Sequence, residues 1–360
     1  MSSPITLEAI RSAPKALLHD HLDGGLRVAT ILELADQIGW TLPTTDAADL
    51  QQWFTAGAGS RDLLQYLATF EHTLAVMQRP SHLERVAREA VEDLVDDGVV
   101  YAEIRFAPEL HAMAPEESVA AICAGFRSAE AAALATHSPI TVNLIVCAMR
   151  TEQHSLEIAQ FVDRIREHEP KVVAFDLAGA ETGWPPSLHA EALRHAREAQ
   201  LNITVHASEP PDLELISDAL VHGAHRIGHG VRLQADMSIV EGRVADMGRL
   251  ARHILDRHIH LEMAPTCHVH VGAVDSLAAH PIAPMLRAGF NVGVNTDNRL
   301  MSDVMPSSEL WNLHRAHDLS WGEIHDLVVN AIGSSFAPIE ERNRLISLTV
   351  DPAYAALENT

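Results

Sequence analysis

Short apolar runs alternate with longer amphipathic stretches through most of the chain, the pattern of repeated strand–helix units around a parallel sheet. Eight runs have the length and composition of strands: Ala16–Leu22, Val99–Phe106, Thr141–Ala148, Val172–Leu177, Asn202–Ala207, Arg226–His229, Ile259–Met263 and Asn291–Asn295. Between them, helical periodicity predicts helices over Ser81–Val95, Pro115–Ala135, Thr151–His168, Ser187–Gln200, Asp212–Val221 and Ser238–Arg257. Eight strands with crossover helices predict an α/β fold, a (β/α)8 barrel of TIM type. Arg27–Asp97 is too long for one helix and carries Trp40, Trp53, Phe54, Tyr66 and Phe70, so it predicts two or more helices, part of them capping the barrel mouth. Ser307–Asp318, Trp321–Ser334 and Pro338–Leu348 add helices after the last strand. No linker or repeat divides the 360 residues, and one domain is expected over 1–360.

Charge narrows the partners. With 49 acidic against 26 basic residues the net charge is -23, which repels a phosphate backbone or an anionic membrane surface. Neither nucleic-acid nor membrane binding is expected. The first fourteen residues are polar and no uninterrupted apolar segment near 18 residues is read, so a cytoplasmic protein is expected. Cys123, Cys147 and Cys267 are odd in number and widely spaced, which suits reduced thiols.

The chemistry lies where strands end, because all those ends meet at one face of a barrel. The first strand ends in His19-Asp20-His21, and residues i and i+2 of a strand share a face, so both imidazoles can converge on one cation. The fifth ends in His206-Ala207-Ser208-Glu209, the sixth in Gly228-His229-Gly230 and the eighth in Asn295-Thr296-Asp297-Asn298. Three histidines and an aspartate, His19, His21, His206 and Asp297, form a ligand set suited to catalytic Zn²⁺. Glu209 and His229 are then the candidates to move or orient protons. Lys15 and Lys171 both precede strands, so a lysine bridging two metals at the end of the fourth strand is missing and one zinc per chain is expected. No Pro-Cys-x-x-Cys is present, which sets aside the other zinc deaminase architecture.

In six motifs the chain resembles the adenosine deaminase family over essentially its whole length. They are His19-Asp20-His21-Leu22-Asp23-Gly24, Tyr101-Ala102-Glu103-Ile104-Arg105-Phe106-Ala107-Pro108, Asp176-Leu177-Ala178-Gly179, His206-Ala207-Ser208-Glu209, Gly228-His229-Gly230 and Thr296-Asp297-Asn298. The resemblance implies zinc-dependent hydrolytic deamination at C6 of a purine nucleoside, adenosine or 2′-deoxyadenosine. It implies His19, His21, His206 and Asp297 on zinc, Glu209 protonating N1 and His229 positioning the hydroxide, with Asp297 among the reacting groups. It further implies His21 beside the substrate, Gly179 donating its N–H to N3, and Asp23 binding the ribose 5′-hydroxyl.

Three departures from the family pattern bear on substrate. Asn298 replaces an Asp that contacts N7, and an Asn amide can donate to the same atom. Ser208 replaces a glycine between the zinc histidine and the glutamate. Ala264-Pro265-Thr266-Cys267-His268-Val269-His270-Val271-Gly272 replaces a Cys-Pro-Thr-Ser-Asn-Val-x-Thr-Gly region, and His268 and His270 are expected in a loop as non-ligands. The alternatives are the same chemistry on another aminopurine, such as adenine, aminodeoxyfutalosine or a nucleoside analogue, and a zinc-binding paralogue without activity. The last would be expected to lose Glu209 or His229, and both are present.

Overall fold

The computed structural model describes residues 4–60 and 63–359, so residues 61 and 62 of the predicted helical stretch lie outside the described residues. Eight parallel strands form one sheet in sequence order. They are Lys15–His21 (β1), Val99–Phe106 (β2), Thr141–Met149 (β3), Val172–Ala178 (β4), Asn202–Ala207 (β5), Arg226–His229 (β6), His260–Met263 (β7) and Val292–Val294 (β8). A strand covered on both faces reads as a continuous apolar run, and β3 is buried except at its two ends. The sheet curls until β8 meets β1, where Asp20 and Asp297 form a single parallel bridge. The His21 amide donates to the Asp297 carbonyl at 2.8 Å, and the Asp297 amide donates to the His19 carbonyl at 3.0 Å. Asn295 Oδ1 extends this seam by accepting from the amides of Leu18 and His19 at 2.8 and 3.0 Å. The expected (β/α)8 barrel is the fold.

Helices Val28–Ile38, Ala47–Ala58, Leu63–Val76 and Pro80–Asp96 fill the long connection between β1 and β2. Helix Pro115–Ala135 is long and apolar enough by length and composition to cross a membrane, yet half of its apolar window is buried inside the protein. A Cβ at its Gly125 would stand 2.3 Å from the Glu84 carbonyl, so the lack of a side chain allows it to press against Pro80–Asp96. After β8 come Pro306–His317, Trp321–Ser334 and Ile339–Leu345, and a further helix, Asp351–Asn359, that the sequence pattern did not separate.

One expected helix is wrong in its first half. Ser238–Arg257 divides into an antiparallel hairpin, Met237–Val240 with Arg243–Met247, followed by a shorter helix, Arg249–Asp256. Glu241 and Gly242 sit at φ 48° and 72°, the two consecutive positive values that a two-residue hairpin turn requires. The β-branched Ile239, Val240 and Val244 flank that turn.

Lys15, at the start of β1, is 1% exposed. Its ammonium donates to the carbonyls of Ile10, Arg11 and Ala13 at 2.7, 2.9 and 2.7 Å, closing the end of helix Leu7–Ser12. Burial, against the attraction of Asp97, lowers its pKa to about 8. Lys15→Met would leave three carbonyls without this donor, and a loss of at least about 2 kcal/mol is expected in urea unfolding. An unchanged midpoint would show that these contacts are not stabilising.

Candidate active site

The C-terminal ends of β1, β5, β6 and β8 bring His19, His21, His206, His229 and Asp297 together. His21 Nε2 is 3.1 Å from His206 Nε2 and 3.4 Å from Asp297 Oδ1, and His19 Nε2 is 3.2 Å from Asp297 Oδ1. Donor atoms about 2.0–2.1 Å from a tetrahedral zinc stand about 3.3–3.4 Å apart, so these separations match the edges of such a shell. His19, His206, His229 and Asp297 each bring one donor atom within 4.8 Å of the others.

Hydrogen bonds behind the cluster decide which nitrogens face it. His19 Nδ1 lies 2.8 Å from Glu262 Oε2 and His206 Nδ1 lies 3.1 Å from Asp176 Oδ2, so each ring donates backwards and turns an Nε2 lone pair forwards. His19 Nε2 is buried with no hydrogen-bond partner among the described residues, pointing its lone pair at a carboxylate. Lone pair against anion is repulsive unless a cation lies between them, so these residues fit a divalent metal. Burial acts to lower the His19 pKa, but Asp297 and Glu262 outweigh it and raise it, which marks a local field that draws positive charge. Burial lowers His21 and His206, keeping them in the neutral form that ligates.

The orienting carboxylates are themselves held by buried arginines. Arg105 bridges Asp176 and Glu262 at 2.8 and 2.7 Å, and Arg226 bridges Glu262 and Glu103 at 2.7 and 2.6 Å. Sequence reasoning assigned none of these residues a role. The available signal was a charged residue inside an otherwise buried strand, which needs a partner of opposite charge.

Around the cluster stand the remaining candidates. Glu209 has its pKa pushed up to about 8 by burial, with Asp297 and Glu181 repelling its charge. The Glu181 carboxylate in turn accepts the backbone amides of Ser208 and Glu209 at 2.6 and 3.3 Å, a clamp that sequence reasoning also missed. Asp23 is buried in the turn after β1, and burial with Asp297 and Asp20 nearby raises it to about 6. Gly179 follows β4 at φ 96°. Asn298 Nδ2 donates to the Tyr66 hydroxyl at 2.7 Å, so one amide hydrogen is already engaged and helix Leu63–Val76 reaches the site. Ser208, His229 and Asp297 sit at φ 69°, 62° and 58°, left-handed turns that make the chain bend sharply at three strand ends. At Ser208 a glycine would adopt this φ without strain, and the buried hydroxyl there has no hydrogen-bond partner among the described residues.

The expected loop after β7 is a short helix, Pro265–His270, started by Pro265 at its first turn. Cys267 Sγ lies 2.9 Å from Asp297 Oδ2 and 3.8 Å from Glu209 Oε1, and burial holds its thiol well above the usual range. His268 is fully buried, 3.1 Å from His229 Nδ1. His270 is only partly buried.

Comparison with known proteins extends the pattern to the whole chain. The family model described as adenosine deaminase matches residues 14–352. An adenosine deaminase of Mycobacterium avium is 47% identical, with 99% of this chain and 100% of that protein covered. Among solved structures, an adenine deaminase from Arthrobacter aurescens is 27% identical with a TM-score of 0.81, covering 96% of this chain and 98% of the other. An N6-mAMP deaminase from arabidopsis is 25% identical with a TM-score of 0.80, covering 95% and 99%. With the family model matching nearly the full length around a barrel mouth of this chemistry, the chain belongs to the adenosine deaminase family.

Proposed function

We propose that the protein hydrolytically deaminates adenosine and 2′-deoxyadenosine to inosine and 2′-deoxyinosine, releasing ammonia, with one zinc per chain held by His19, His21, His206 and Asp297. The observation that carries this reading is an arrangement: Glu209, a partly buried carboxyl whose pKa is pushed up to about 8, stands with Cys267 and Asp297 beside a cluster of histidines and aspartate able to hold a metal. Bound there, zinc supplies a nucleophilic hydroxide by lowering the pKa of a water from 15.7 towards about 7.

The chain's own groups then act on the purine. Glu209 gives its proton to N1, which makes C6 electrophilic. His229 positions the oxygen that adds to C6. The new C6–O bond forms, and the proton of the added hydroxyl passes to the amino nitrogen. The C6–N bond breaks and the group leaves as ammonia, while the other proton of the water replaces the one that Glu209 gave to N1. Gly179 offers its backbone N–H to N3, and Asn298 offers its remaining amide hydrogen to N7. His21 borders the ring, and Asp23 accepts the 5′-hydroxyl.

Asp23 also bears on which relative this chain behaves like, since its solved relatives include deaminases named for a free base and for a nucleotide. A carboxylate facing a phosphate at close range is repulsive by several kcal/mol. Adenosine should therefore exceed AMP in kcat/KM by at least about 100-fold. A better rate with AMP or adenine would contradict both the substrate and the role of Asp23.

Two variants separate metal binding from proton transfer. Glu209→Gln should keep zinc and the fold while kcat falls by about 10² to 10⁴. Near-normal turnover would remove Glu209 as the acid. His206→Ala should lose zinc, and Asp176→Asn, which no longer fixes the His206 ring, should bind it about 10- to 100-fold more weakly by metal titration. A requirement for two zinc ions, or full occupancy without His206, would contradict the site.

A further inference from the structure

Behind His229 lies a row of histidines that the deamination reading does not use. His229 Nδ1 is 3.1 Å from His268 Nε2, and His268 Nδ1 is 2.9 Å from His280 Nε2. The row ends on the protein backbone, where the Ile282 amide donates to His280 Nδ1 at 3.2 Å. All three rings are at most 2% exposed. His268 stands where the family pattern carries Asn.

The backbone amide sets the polarity of the whole row. An N–H can only donate, so His280 Nδ1 is a lone pair and its hydrogen is on Nε2. That hydrogen points at His268 Nδ1, which must accept, leaving the His268 hydrogen on Nε2. By the same step His229 Nδ1 accepts from His268, and the one hydrogen of a neutral His229 is on Nε2. The opposite order would set an Nδ1–H of His280 against the Ile282 N–H, two donors facing each other in a buried place.

We propose that His268 and His280 lock His229 in its Nε2–H tautomer, making His229 a fixed hydrogen-bond donor to the oxygen that attacks C6. This rests on the deaminase reading for what the donor does, and on hydrogen-bond geometry alone for its tautomer. His229 then orients the nucleophile and does not take its proton, which decides between the two roles, moving or orienting protons, that its place at a strand end leaves open. It also separates His229 from the metal ligands, since a protonated Nε2 has no lone pair to give. The same geometry keeps the row neutral, because each Nδ1 accepts a hydrogen bond and so cannot carry a second ring hydrogen.

Nitrogen-15 NMR of the zinc-loaded protein labelled in histidine tests this without substrate, because protonated and bare ring nitrogens resonate apart. Resonances are assigned by their loss in His229→Gln and His268→Gln. The proposal expects His229 with a protonated Nε2 and a bare Nδ1. A proton on Nδ1, or on both nitrogens, overturns it. In kinetics, His268→Leu should lower kcat about 10- to 100-fold with zinc content and KM unchanged, by releasing the donor from its orientation. His268→Gln, whose amide can donate to His229 Nδ1, should restore most of that loss. If Leu and Gln at this position are equally slow, packing and not the donated hydrogen bond is what matters, and the proposal fails. Failure of adenosine turnover in the wild-type protein contradicts the proposed function instead, and the NMR result distinguishes the two.

Discussion

Three of the four candidate metal ligands sit on the seam that closes the barrel. Sheet closure requires β8 to find β1, and here the two strands are joined by one bridge, two backbone hydrogen bonds around Asp297, and the Asn295 side chain. Those few contacts place Asp297 Oδ1 between His19 and His21. Asp297 is also held in a left-handed backbone conformation within the seam, which Asp tolerates better than most residues. Fold closure and site geometry thus rest on the same contacts, and a change that opens the seam separates the ligands.

Burial then sorts the titratable groups by charge type. It disfavours the ionised form of every one of them, so the same physical effect pushes Glu209 up to about 8 and lowers His21, His206, His229 and His268. Asp176 and Glu262 escape because their partners outweigh burial: His206 and Arg105 lower Asp176, and Arg226 and Arg105 lower Glu262. Glu209 has Asp297 and Glu181 as near neighbours instead, and these add to the effect of burial. The division between carboxylates that orient and a carboxyl that carries a proton is a division of neighbours.

The strands were legible because a parallel barrel imposes nearly uninterrupted apolar runs, and all eight lie where periodicity placed them. The candidate ligands were legible for the related reason that chemistry gathers at strand ends. What the sequence hid was either local or long-range. The Glu241-Gly242 turn lies within an amphipathic stretch whose hydrophobic spacing suits a helix, and only its paired positive φ values make a hairpin. Glu262, Glu181 and Tyr66 act through contacts with residues distant in sequence: Glu262 with His19, Glu181 with Ser208, Tyr66 with Asn298. His268 was read as part of a loop, because the six-residue helix that Pro265 starts is too short for periodicity to register.

Cys267 makes the ligand assignment testable in a single spectrum. Its sulfur is 2.9 Å from the same carboxylate that faces His19 and His21, and small shifts of that helix would offer zinc a thiolate. The proposed ligand set has nitrogen and oxygen only, and burial, with Asp297 and Glu209 beside it, pushes this thiol well above its usual range. Zinc-edge X-ray absorption on the loaded protein should therefore show nitrogen and oxygen neighbours at about 2.0–2.1 Å and none at the longer sulfur distance. A zinc–sulfur shell at about 2.3 Å would contradict the three-histidine, one-aspartate site on which the rest is built.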